Sequence, residues 1–276
     1  MITLESAALT DVGKKRKGNE DSFFRDDDLQ LYVVADGMGG HQAGEVASNL
    51  LVETVQGYMR RFQEEEGDVD ELEDSDDSLS QEANRLVSSV YLANRVVNQF
   101  ALSRDTYTGM GTTVSAVSFT EDSFVAVNVG DSPIFLIRDN KIQVISVFHT
   151  VEAEQALLDP EGKSKLGKQF SHMLTRAIGT KESVEADATE LIAKKDDILV
   201  ISSDGMSDKV KAEEVLDLVA KSKPDKACRS LVNLALDRGG DDNITVVIIK
   251  VKKLKSTKTT KTAKTSKTAK KGKKKK

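Results

Sequence analysis

Hydrophobic and polar positions follow two different periods along the chain. From 43 to 62, apolar side chains recur every three or four residues, and this pattern predicts an amphipathic helix of about five turns. The same period from 83 to 101 predicts a second long helix. Short runs rich in β-branched and aromatic residues surround this pair of helices and predict strands. These runs are 22–24, 31–35, 112–119, 124–129, 133–138 and 141–147.

The same two periods return in the second half of the chain. Strands are predicted near 185–192 and 197–202, two helices at about 210–220 and 224–238, and a last strand at 243–251. This order matches neither strict βαβ alternation nor an all-β sandwich. We therefore predict an α+β fold in which antiparallel sheets are covered by helices.

Three segments lack a pattern that would bury a face. Residues 64–78 are strongly acidic and predict an exposed loop, for which a solvated insertion is favoured over docking of a basic partner. Residues 149–175 are mixed in character and predict a mobile surface segment, or flap. Residues 252–276 repeat Lys and Thr without a large apolar residue other than Leu254, and they predict a disordered tail after a domain that spans 1–251.

Charge is distributed unevenly between the domain and the tail. The net charge is -5, but the residues from Lys250 onward carry 14 Lys and no acid, so residues 1–249 hold 26 basic and 45 acidic groups. Such an acidic body repels phosphorylated substrates and nucleic acid unless divalent cations or local arginines offset it. The basic tail is a candidate for contact with nucleic acid or anionic surfaces, and a solvated end is an equally good interpretation.

Cysteine content and the N-terminus bear on the compartment. Cys228 is the only cysteine, which excludes an internal disulfide and fits a reducing compartment; its helical context favours a core position over a reactive thiol. The first residues lack the pattern of a signal peptide, and no apolar run approaches the ~20 residues that a membrane span needs. We expect a soluble, cytoplasmic protein.

Acidic residues occur in five places where a predicted strand begins or ends. They are Asn19-Glu20-Asp21, Asp36-Gly37, Gly130-Asp131-Ser132, Ser203-Asp204-Gly205 and Asp241-Asp242-Asn243. Each alone is typical of a turn, but Asp36-Gly37 and Asp204-Gly205 follow a strand and precede helical sequence, which disfavours a hairpin. If neighbouring strands bring these ends together, the carboxylates repel one another and raise one another's pKa, and a divalent cation removes that conflict.

The ligand chemistry favours Mn²⁺ or Mg²⁺. All candidate ligands are oxygen donors, whereas His41, His149 and His172 are dispersed and are interpreted as structural or solvent-facing. A cluster of this size could hold two ions roughly 3.5–4 Å apart, which would generate a hydroxide and clamp a phosphoryl group. This chemistry predicts hydrolysis of a phosphate ester.

A nucleotide-binding loop is the weaker interpretation of the stretch around Asp36. A strand, a glycine-rich turn and a helix also form the dinucleotide-binding layout, but Gln42 stands where the third glycine is needed. The chain also lacks the Gly-Lys-Ser/Thr of a phosphate-binding P-loop.

Seven short motifs between about 5 and 250 resemble, in order, those of the type-2C metal-dependent serine/threonine protein phosphatases in their bacterial-style form. The motifs are Arg16-Lys17-Gly18-Asn19-Glu20-Asp21, Val34-Ala35-Asp36-Gly37-Met38-Gly39-Gly40-His41, Gly109-Met110-Gly111-Thr112-Thr113, Asn128-Val129-Gly130-Asp131-Ser132, Leu174-Thr175-Arg176-Ala177-Ile178-Gly179, Ser203-Asp204-Gly205 and Asp241-Asp242-Asn243-Ile244-Thr245. The resemblance implies two antiparallel sheets sandwiched between helical layers, with metal ions at one end.

The resemblance also implies a set of metal ligands for two Mn²⁺ or Mg²⁺ ions, with a third in many members. Asp36 would bridge two ions, and the Gly37 carbonyl would bind one of them. Asp204 and Asp242 would complete the shell of that first ion. These assignments follow from motif position alone.

The remaining implied roles concern the second ion, the third ion and the phosphate. Asp21, with Glu20 beside it, would support the second ion, partly through water, and Asp131 would join Asp204 at the third. Arg16 matches the phosphate-binding arginine of the family, a role that suits a planar two-pronged donor. The alternative is that Arg16 is a surface charge in a Lys-Lys-Arg-Lys run.

The implied reaction is direct hydrolysis of phosphoserine and phosphothreonine in phosphoproteins by a metal-bridged hydroxide, with Arg16 and Asp36 as the catalytic residues. We expect the phosphoproteins to be substrates of a bacterial-type serine/threonine kinase. The alternative is a catalytically weak regulator of the same fold that binds phosphoproteins. Retention of every predicted metal carboxylate argues against that alternative.

Three positions depart from the pattern of the family. Met38 replaces a His that follows the metal-binding glycine in the animal type, so the proton donor for the leaving group is unassigned. Pro133 stands where many relatives have Arg after Gly-Asp-Ser, and Phe148 stands where they often have Asp before the pair His149-Thr150. These departures bear on how substrates are handled more than on the catalytic step.

Overall fold

Two antiparallel β-sheets form the centre of the protein. The structure is a computed structural model and describes residues 2–40, 42–64, 76, 78–159, 170 and 172–254. Its strands are β1 (Thr3–Asp11), β2 (Asp21–Asp26), β3 (Leu31–Met38), β4 (Gly111–Thr112), β5 (Val114–Phe119), β6 (Ser123–Val129), β7 (Ile134–Arg138), β8 (Lys141–Val144), β9 (Asp187–Ile192), β10 (Ile198–Ser202) and β11 (Ile244–Lys253). Its α-helices are α1 (Gln42–Glu64), α2 (Gln81–Ser103), α3 (Val151–Leu158), α4 (Asp204–Ser207), α5 (Ala212–Ala220) and α6 (Pro224–Asp237).

The two sheets pack against each other through their inner faces. One has the strand order β1-β11-β10-β7-β8, and the other has the order β2-β3-β5-β6-β9 with β4 beside β3. A buried cluster between them contains Tyr32 and Phe124 from one sheet and Leu199 and Ile249 from the other. Alternate residues of each strand point to opposite faces, so each sheet also has an outer face to cover.

Helices cover both outer faces. Leu51 of α1 and Leu86 of α2 pack with Val33 of β3 in one buried cluster. Leu231 of α6 packs with Val200 of β10 in another. The result is an α-β-β-α sandwich, so the predicted fold class is confirmed. Within the residues that the structure describes, no helix is both long enough and apolar enough to cross a membrane.

The predicted helical stripes are the buried faces of α1 and α2. Ala47, Leu51 and Val55 of α1 are 0% exposed, which is the spacing expected for one face of a helix. α2 begins after Ser80, whose side-chain oxygen accepts a hydrogen bond from the backbone N–H of Ala83 at 3.1 Å. This contact is a standard N-cap and explains why the helix starts there.

The first strand was not predicted from the sequence, and its position corrects the boundary of the tail. β1 pairs with the whole of β11, and Thr3 lies opposite Lys253. Lys252 forms an ion pair of 2.5 Å with Glu5 of β1. Residues 252 and 253 were predicted to belong to the disordered tail, but a partner strand satisfies their backbone groups and keeps them in the sheet. The remaining tail, 255–276, lies outside the described residues.

The predicted flap contains a helix. The segment 149–175 was predicted to be a mobile surface segment, without a helix, and residues 151–158 form α3. The cap of this helix explains the difference, since Thr150 Oγ1 accepts a hydrogen bond from the backbone N–H of Ala153 at 3.2 Å. Most of the other predicted surface segment, the acidic loop 64–78, lies outside the described residues.

Candidate metal centre

The strand-end carboxylates meet at one end of the sandwich. Asp21 at the start of β2 lies directly opposite Asp36 near the end of β3. Asp204 follows β10 and Asp242 precedes β11, which is the antiparallel neighbour of β10. Asp131 lies in the connection from β6 of one sheet to β7 of the other. Because strand ends and strand starts alternate along one edge of an antiparallel sheet, these residues can meet there. The charges of the other four carboxylates all raise the pKa of Asp36.

A cleft of about 660 Å³ opens at this edge. Seven of the eight predicted site residues line it: Arg16, Glu20, Asp36, Gly37, Asp131, Asp204 and Asp242. The eighth, Asp21, is 8% exposed and does not contribute to the lining. Met38 also lines the cleft, and so does His172, which the sequence did not link to the site.

Neighbouring threonines hold the backbone of Asp36 in place. The Asp36 N–H donates to Thr113 Oγ1 at 3.1 Å. The Asp36 carbonyl accepts from Thr112 Oγ1 at 2.9 Å and from the Thr113 N–H at 2.8 Å. Since these partners satisfy both backbone groups of Asp36, its carboxyl is presented to the cleft on a rigid strand.

Glycine is required at two positions beside the acidic residues. A side-chain carbon at Gly37 would overlap the carbonyl oxygen of Gly44 in α1, so the helix can approach β3 only because Gly37 has none. Gly130 has a φ of 108° and its missing side chain leaves room for Thr113. This conformation, which few other residues adopt, turns the chain so that Asp131 faces the cleft.

Asp21 is a buried carboxylate that lacks a partner for one oxygen. Its Oδ2 accepts hydrogen bonds from Ser203 Oγ at 2.8 Å and from Thr245 Oγ1 at 2.6 Å. Its Oδ1 is buried and has no hydrogen-bond partner among the described residues. Burial raises the pKa of Asp21 to about 6, with further contributions from Asp204 and Asp242, although the two hydroxyls oppose the shift.

Asp36 and Asp204 also have raised pKa values. Burial, followed by the charges of Asp21 and Asp204, raises the pKa of Asp36 well above its ordinary value. Burial and the charges of Asp208 and Asp242 raise the pKa of Asp204 to about 6, although a hydrogen bond from the Asp36 carboxyl opposes this shift. Such acids lose their protons at a higher pH than an exposed aspartate does, unless positive charge is supplied nearby.

The Asp131 carboxyl is perturbed in the same direction. Burial, followed by the charge of Asp204, raises its pKa to about 7. The nearby His172 lowers this pKa, in agreement with the position of both residues in the cleft. Asp131 is therefore poised to gain or lose a proton near neutral pH.

Arg16 is held at the cleft by an acidic residue. Its Nη2 lies 2.7 Å from Asp242 Oδ2, and its side chain is 49% exposed. The hydrogen bond to Asp242, opposed in part by burial, raises the pKa of Arg16. Asp242 in turn accepts a hydrogen bond of 2.8 Å from the Asn243 N–H. Arg16 thus faces the site and is not an isolated surface charge of its basic run.

Asn243 connects three parts of the site and was not assigned a role from the sequence. Its Oδ1 accepts from the Glu20 N–H at 2.8 Å, and its Nδ2 donates to the carbonyls of Val12 and Gly18 at 2.9 Å each. The Glu20 side chain itself packs over Gly44 of α1. The sequence did contain a signal for such positioning residues, because Asn243 and Ser203 stand directly beside the strand-end carboxylates Asp242 and Asp204.

The chemistry of this cluster fits a hard divalent cation. The unpartnered Asp21 oxygen and the mutual repulsion of the buried carboxyls are both relieved by a positive ion. In the arrangement observed, no three acidic, histidine or cysteine side chains of the described ranges converge at metal-binding spacing. In this arrangement Asp242 forms an ion pair with Arg16, and Asp204 shares a hydrogen bond with Asp36. Loss of protons and rotation of these side chains would accompany ion binding.

Comparison with known proteins identifies the family. A family model described as protein phosphatase 2C matches residues 14–231. A Streptococcus pyogenes protein described as protein phosphatase 2C-type is 31% identical over 248 residues, which are 87% of this chain and 94% of the relative. The serine/threonine protein phosphatase PstP of Mycobacterium tuberculosis is 33% identical over 91% of this chain, which spans 45% of PstP.

Solved structures agree with this relationship. The crystal structure of the PstP catalytic domain in complex with two manganese ions has a TM-score of 0.76 and 32% identity, covering 92% of this chain and 100% of that one. A Staphylococcus aureus serine/threonine phosphatase, Stp1, has a TM-score of 0.75 and 30% identity, covering 91% of this chain and 96% of that one. The chain belongs to the protein phosphatase 2C family, a class of metal-dependent serine/threonine protein phosphatases. The family and enzyme class predicted from the motifs are confirmed.

Proposed function

We propose that this chain hydrolyses phosphoserine and phosphothreonine in phosphoproteins at a centre of two Mn²⁺ or Mg²⁺ ions. The observation that carries the proposal is the set of four carboxylates that, together with burial, raise the pKa of Asp36, at a cleft that also contains Arg16. So many buried acids in one place are costly to the fold unless a cation binds there, which points to a functional role.

The residues present would divide the ligand roles as follows. Asp36 would contact both ions, and the Gly37 carbonyl, Asp204 and Asp242 would hold the first. When bound, the two ions lower the pKa of water to supply a hydroxide nucleophile and offset the charge of the phosphoryl group.

A second group of residues would support the remaining positions. Asp21 and Glu20 would stabilise the second ion, and the unpartnered Oδ1 of Asp21 is available for this purpose. Asp131, together with Asp204, would hold a third ion if one binds. The hydroxyls of Ser203 and Thr245 fix the Asp21 carboxylate so that Oδ1 remains oriented away from them.

Arg16 would bind the nonbridging oxygens of the phosphoryl group. Its guanidinium is partly exposed, lines the cleft and can offer two parallel N–H donors. Its ion pair with Asp242 places it at the same edge of the cleft as the candidate metal ligands. This arrangement combines positioning with charge stabilisation, which suits the high barrier of phosphate monoester hydrolysis.

The proposal is tested by manganese-dependent hydrolysis of p-nitrophenyl phosphate and of phosphothreonine and phosphotyrosine peptides. We expect turnover by the metal-loaded enzyme, loss of turnover in EDTA and a preference for phosphothreonine. Asp204→Asn should lower kcat/KM by about a hundredfold or more, since even outer-shell changes cost 10–100-fold. The matched control is Asp217→Asn, an exposed residue of α5 that pairs only with Lys221 among the described residues.

Two outcomes would contradict the proposal. Absence of turnover by the wild-type enzyme with manganese would favour the alternative of a phosphoprotein-binding regulator. Full activity of Asp204→Asn would show that the carboxylate cluster is not the metal centre.

The phosphoproteins are proposed to be substrates of a bacterial-type serine/threonine kinase. The support is that PstP and Stp1, to which this chain is similar, are bacterial serine/threonine phosphatases. Contact of the basic tail with nucleic acid or anionic surfaces stays a prediction. Removal of 255–276, which leaves β11 intact, should abolish retention on heparin at low salt if the tail makes that contact.

A further inference from the structure

A second cleft, of about 450 Å³, lies beside the candidate metal centre. The two clefts share Asp131, His172 and Asp204, so they are continuous. Apart from these shared residues, the second cleft is lined by seven apolar residues and by five polar or charged ones, Thr150, Glu152, Ser207, Asp208 and Lys211. We call it the apolar pocket, and its apolar residues include Pro133, Phe135, Phe148, Ala153, Ala156 and Val210. None of these residues has a role in the metal centre.

The floor of the apolar pocket belongs to the core of the protein. Phe135 is 5% exposed and Val210 is 2% exposed, and both pack in the cluster between the outer face of the sheet and α5 and α6. Pro133 is also buried and precedes β7 directly. A floor built from core residues keeps its shape when a ligand enters, which reduces the entropic cost of binding.

One wall of the apolar pocket is an aromatic ring that remains open to solvent. Phe148 is 39% exposed although it is a large apolar side chain. A ligand that covers this ring removes apolar area from water, and this burial favours association. Phe148 and Pro133 are two of the positions at which the motifs depart from the pattern of the family they resemble.

Another part of the lining is α3, whose N-terminal end is anchored to residues 173–175. The Val151 N–H donates to the Met173 carbonyl at 2.9 Å, and the Thr175 N–H donates to the His149 carbonyl at 2.9 Å. Ala153 and Ala156 lie three residues apart and therefore on the same side of the helix. Their small side chains leave the space that forms the pocket.

We propose that the apolar pocket binds an apolar side chain of the phosphoprotein substrate, within three residues of the phosphorylated residue. This inference rests on the proposed function. The phosphoryl group would be held at the candidate metal centre beside Arg16, in the cleft that shares Asp131 and Asp204 with the apolar pocket. An extended peptide spans ~3.3 Å per residue, so three residues reach the neighbouring cleft. A volume of about 450 Å³ accommodates one large aliphatic or aromatic side chain.

Because the apolar pocket is continuous with the metal-centre cleft, the occupant it favours is part of the substrate itself. Any group bound in the apolar pocket lies beside Asp131 and Asp204, which also line the metal-centre cleft, and a peptide whose phosphate is bound in that cleft is already tethered next to the pocket. The pocket would then select among phosphoproteins by the residue that flanks the phosphate.

The test compares phosphothreonine peptides that differ at a single position. The reference peptide has three serines on each side of the phosphothreonine, and each of six variants replaces one serine with leucine. We expect at least one leucine peptide to have a kcat/KM tenfold or more above the reference, the effect of burying one large aliphatic side chain. The ratio is measured within one enzyme preparation, so it does not depend on the fraction of enzyme that carries metal.

Variants of the pocket locate the preference. Phe148→Ser removes the aromatic wall and Ala153→Gln fills the pocket with a polar chain, so both should reduce the ratio to less than about threefold. The control is Leu157→Gln on the same helix, since Leu157 is 78% exposed and does not line the pocket. It should keep the wild-type ratio. Far-UV circular dichroism confirms that each variant is folded.

The outcomes separate this inference from the proposed function. Hydrolysis of all seven peptides at equal rates would overturn the apolar pocket and leave the proposed function intact. Retention of the preference in both Phe148→Ser and Ala153→Gln would also overturn it, because the selectivity would lie elsewhere. Absence of hydrolysis of every peptide would overturn the proposed function and this inference together.

Discussion

Replacement of Asp204 by asparagine should stabilise the metal-free protein while it destroys the metal centre. Asp204 begins α4 directly after β10, and its carboxyl shares a hydrogen bond with Asp36. Asparagine has the same shape and its amide can donate to Asp36, so the substitution removes a buried charge without creating a cavity. The substitution therefore removes the repulsion between Asp204 and its neighbouring carboxylates, which destabilises the metal-free fold but favours ion binding.

The magnitude follows from the pKa of the group. Burial, with the charges of Asp208 and Asp242, raises the pKa of Asp204 from 3.8 to about 6. Each tenfold change in a protonation equilibrium corresponds to about 1.4 kcal/mol, so the full effect on the free energy of unfolding is about 3 kcal/mol.

The sign depends on which state holds the proton. Between about pH 4 and about pH 6 the folded wild-type protein retains a proton at Asp204 that the unfolded chain loses, so rising pH lowers wild-type stability through this group. Asparagine does not titrate. The advantage of Asp204→Asn should therefore be absent near pH 4, grow through this window and be complete above about pH 7.

The assay is urea unfolding in EDTA followed by far-UV circular dichroism, because the chain contains no tryptophan for fluorescence. Stability is compared at about pH 4.5 and about pH 8, and then at pH 8 with manganese, which should stabilise the wild type more than the variant. Asp217→Asn is the control, since its exposed ion pair with Lys221 should change stability by less than about 1 kcal/mol at either pH. A destabilised Asp204→Asn at pH 8, or an effect equal at both pH values, would refute the reasoning.

Three further predictions concern the site and the core. Gly37→Ala should lower the free energy of unfolding by about 1–3 kcal/mol or more, seen as a lower unfolding temperature, because its side chain would overlap a carbonyl of α1. Gly57→Ala, on the exposed face of α1, should instead raise the free energy of unfolding by up to about 1 kcal/mol. Manganese affinity, measured by calorimetry, should fall as the pH is lowered from about 8 to about 6. The reason is that Asp21 and Asp204, whose pKa values are raised to about 6, must lose their protons to bind the ion. An affinity that stays constant over this range would contradict the prediction. Burial raises the pKa of Cys228 to about 12, so its thiol should react with Ellman's reagent only after unfolding, and rapid reaction of the native protein would contradict its core position.

The long helices show where sequence patterns are sufficient. α1 and α2 are 23 residues long each, and the faces that their apolar stripes predict to be buried are the buried ones. A repeat of several turns specifies which side of a helix faces the core, whatever that core contains. The alternation in β6 and the apolar run of β10 were likewise sufficient to predict that these segments are strands.

β1 and α3 show where the patterns fail. All but the first residue of β1 are only partly buried, so its alternation is weak, and its strand structure depends on β11, more than 230 residues later in the chain. α3 has no buried residue and depends on its cap at Thr150 and on hydrogen bonds to residues 173–175. Tertiary contacts decide such elements, because their own sequences bury too little to specify them.

For the site, residue types and their places along the chain were enough to predict the kind of chemistry. Acidic residues at strand ends, the absence of clustered His or Cys, and the glycines beside Asp36 indicated a hard-cation centre. The sequence also showed that Pro133 and Phe148 depart from related chains, but it did not show that they lie in one pocket.

How those residues meet could be learned only from the folded chain. The fold places Asp21 opposite Asp36 and beside Ser203 and Thr245, and it brings Arg16 to Asp242 across 226 positions of sequence. The physical reason is that periodicity reports only which face of an element is buried. Strand order and register determine which buried faces meet, and these arise from contacts between distant parts of the chain.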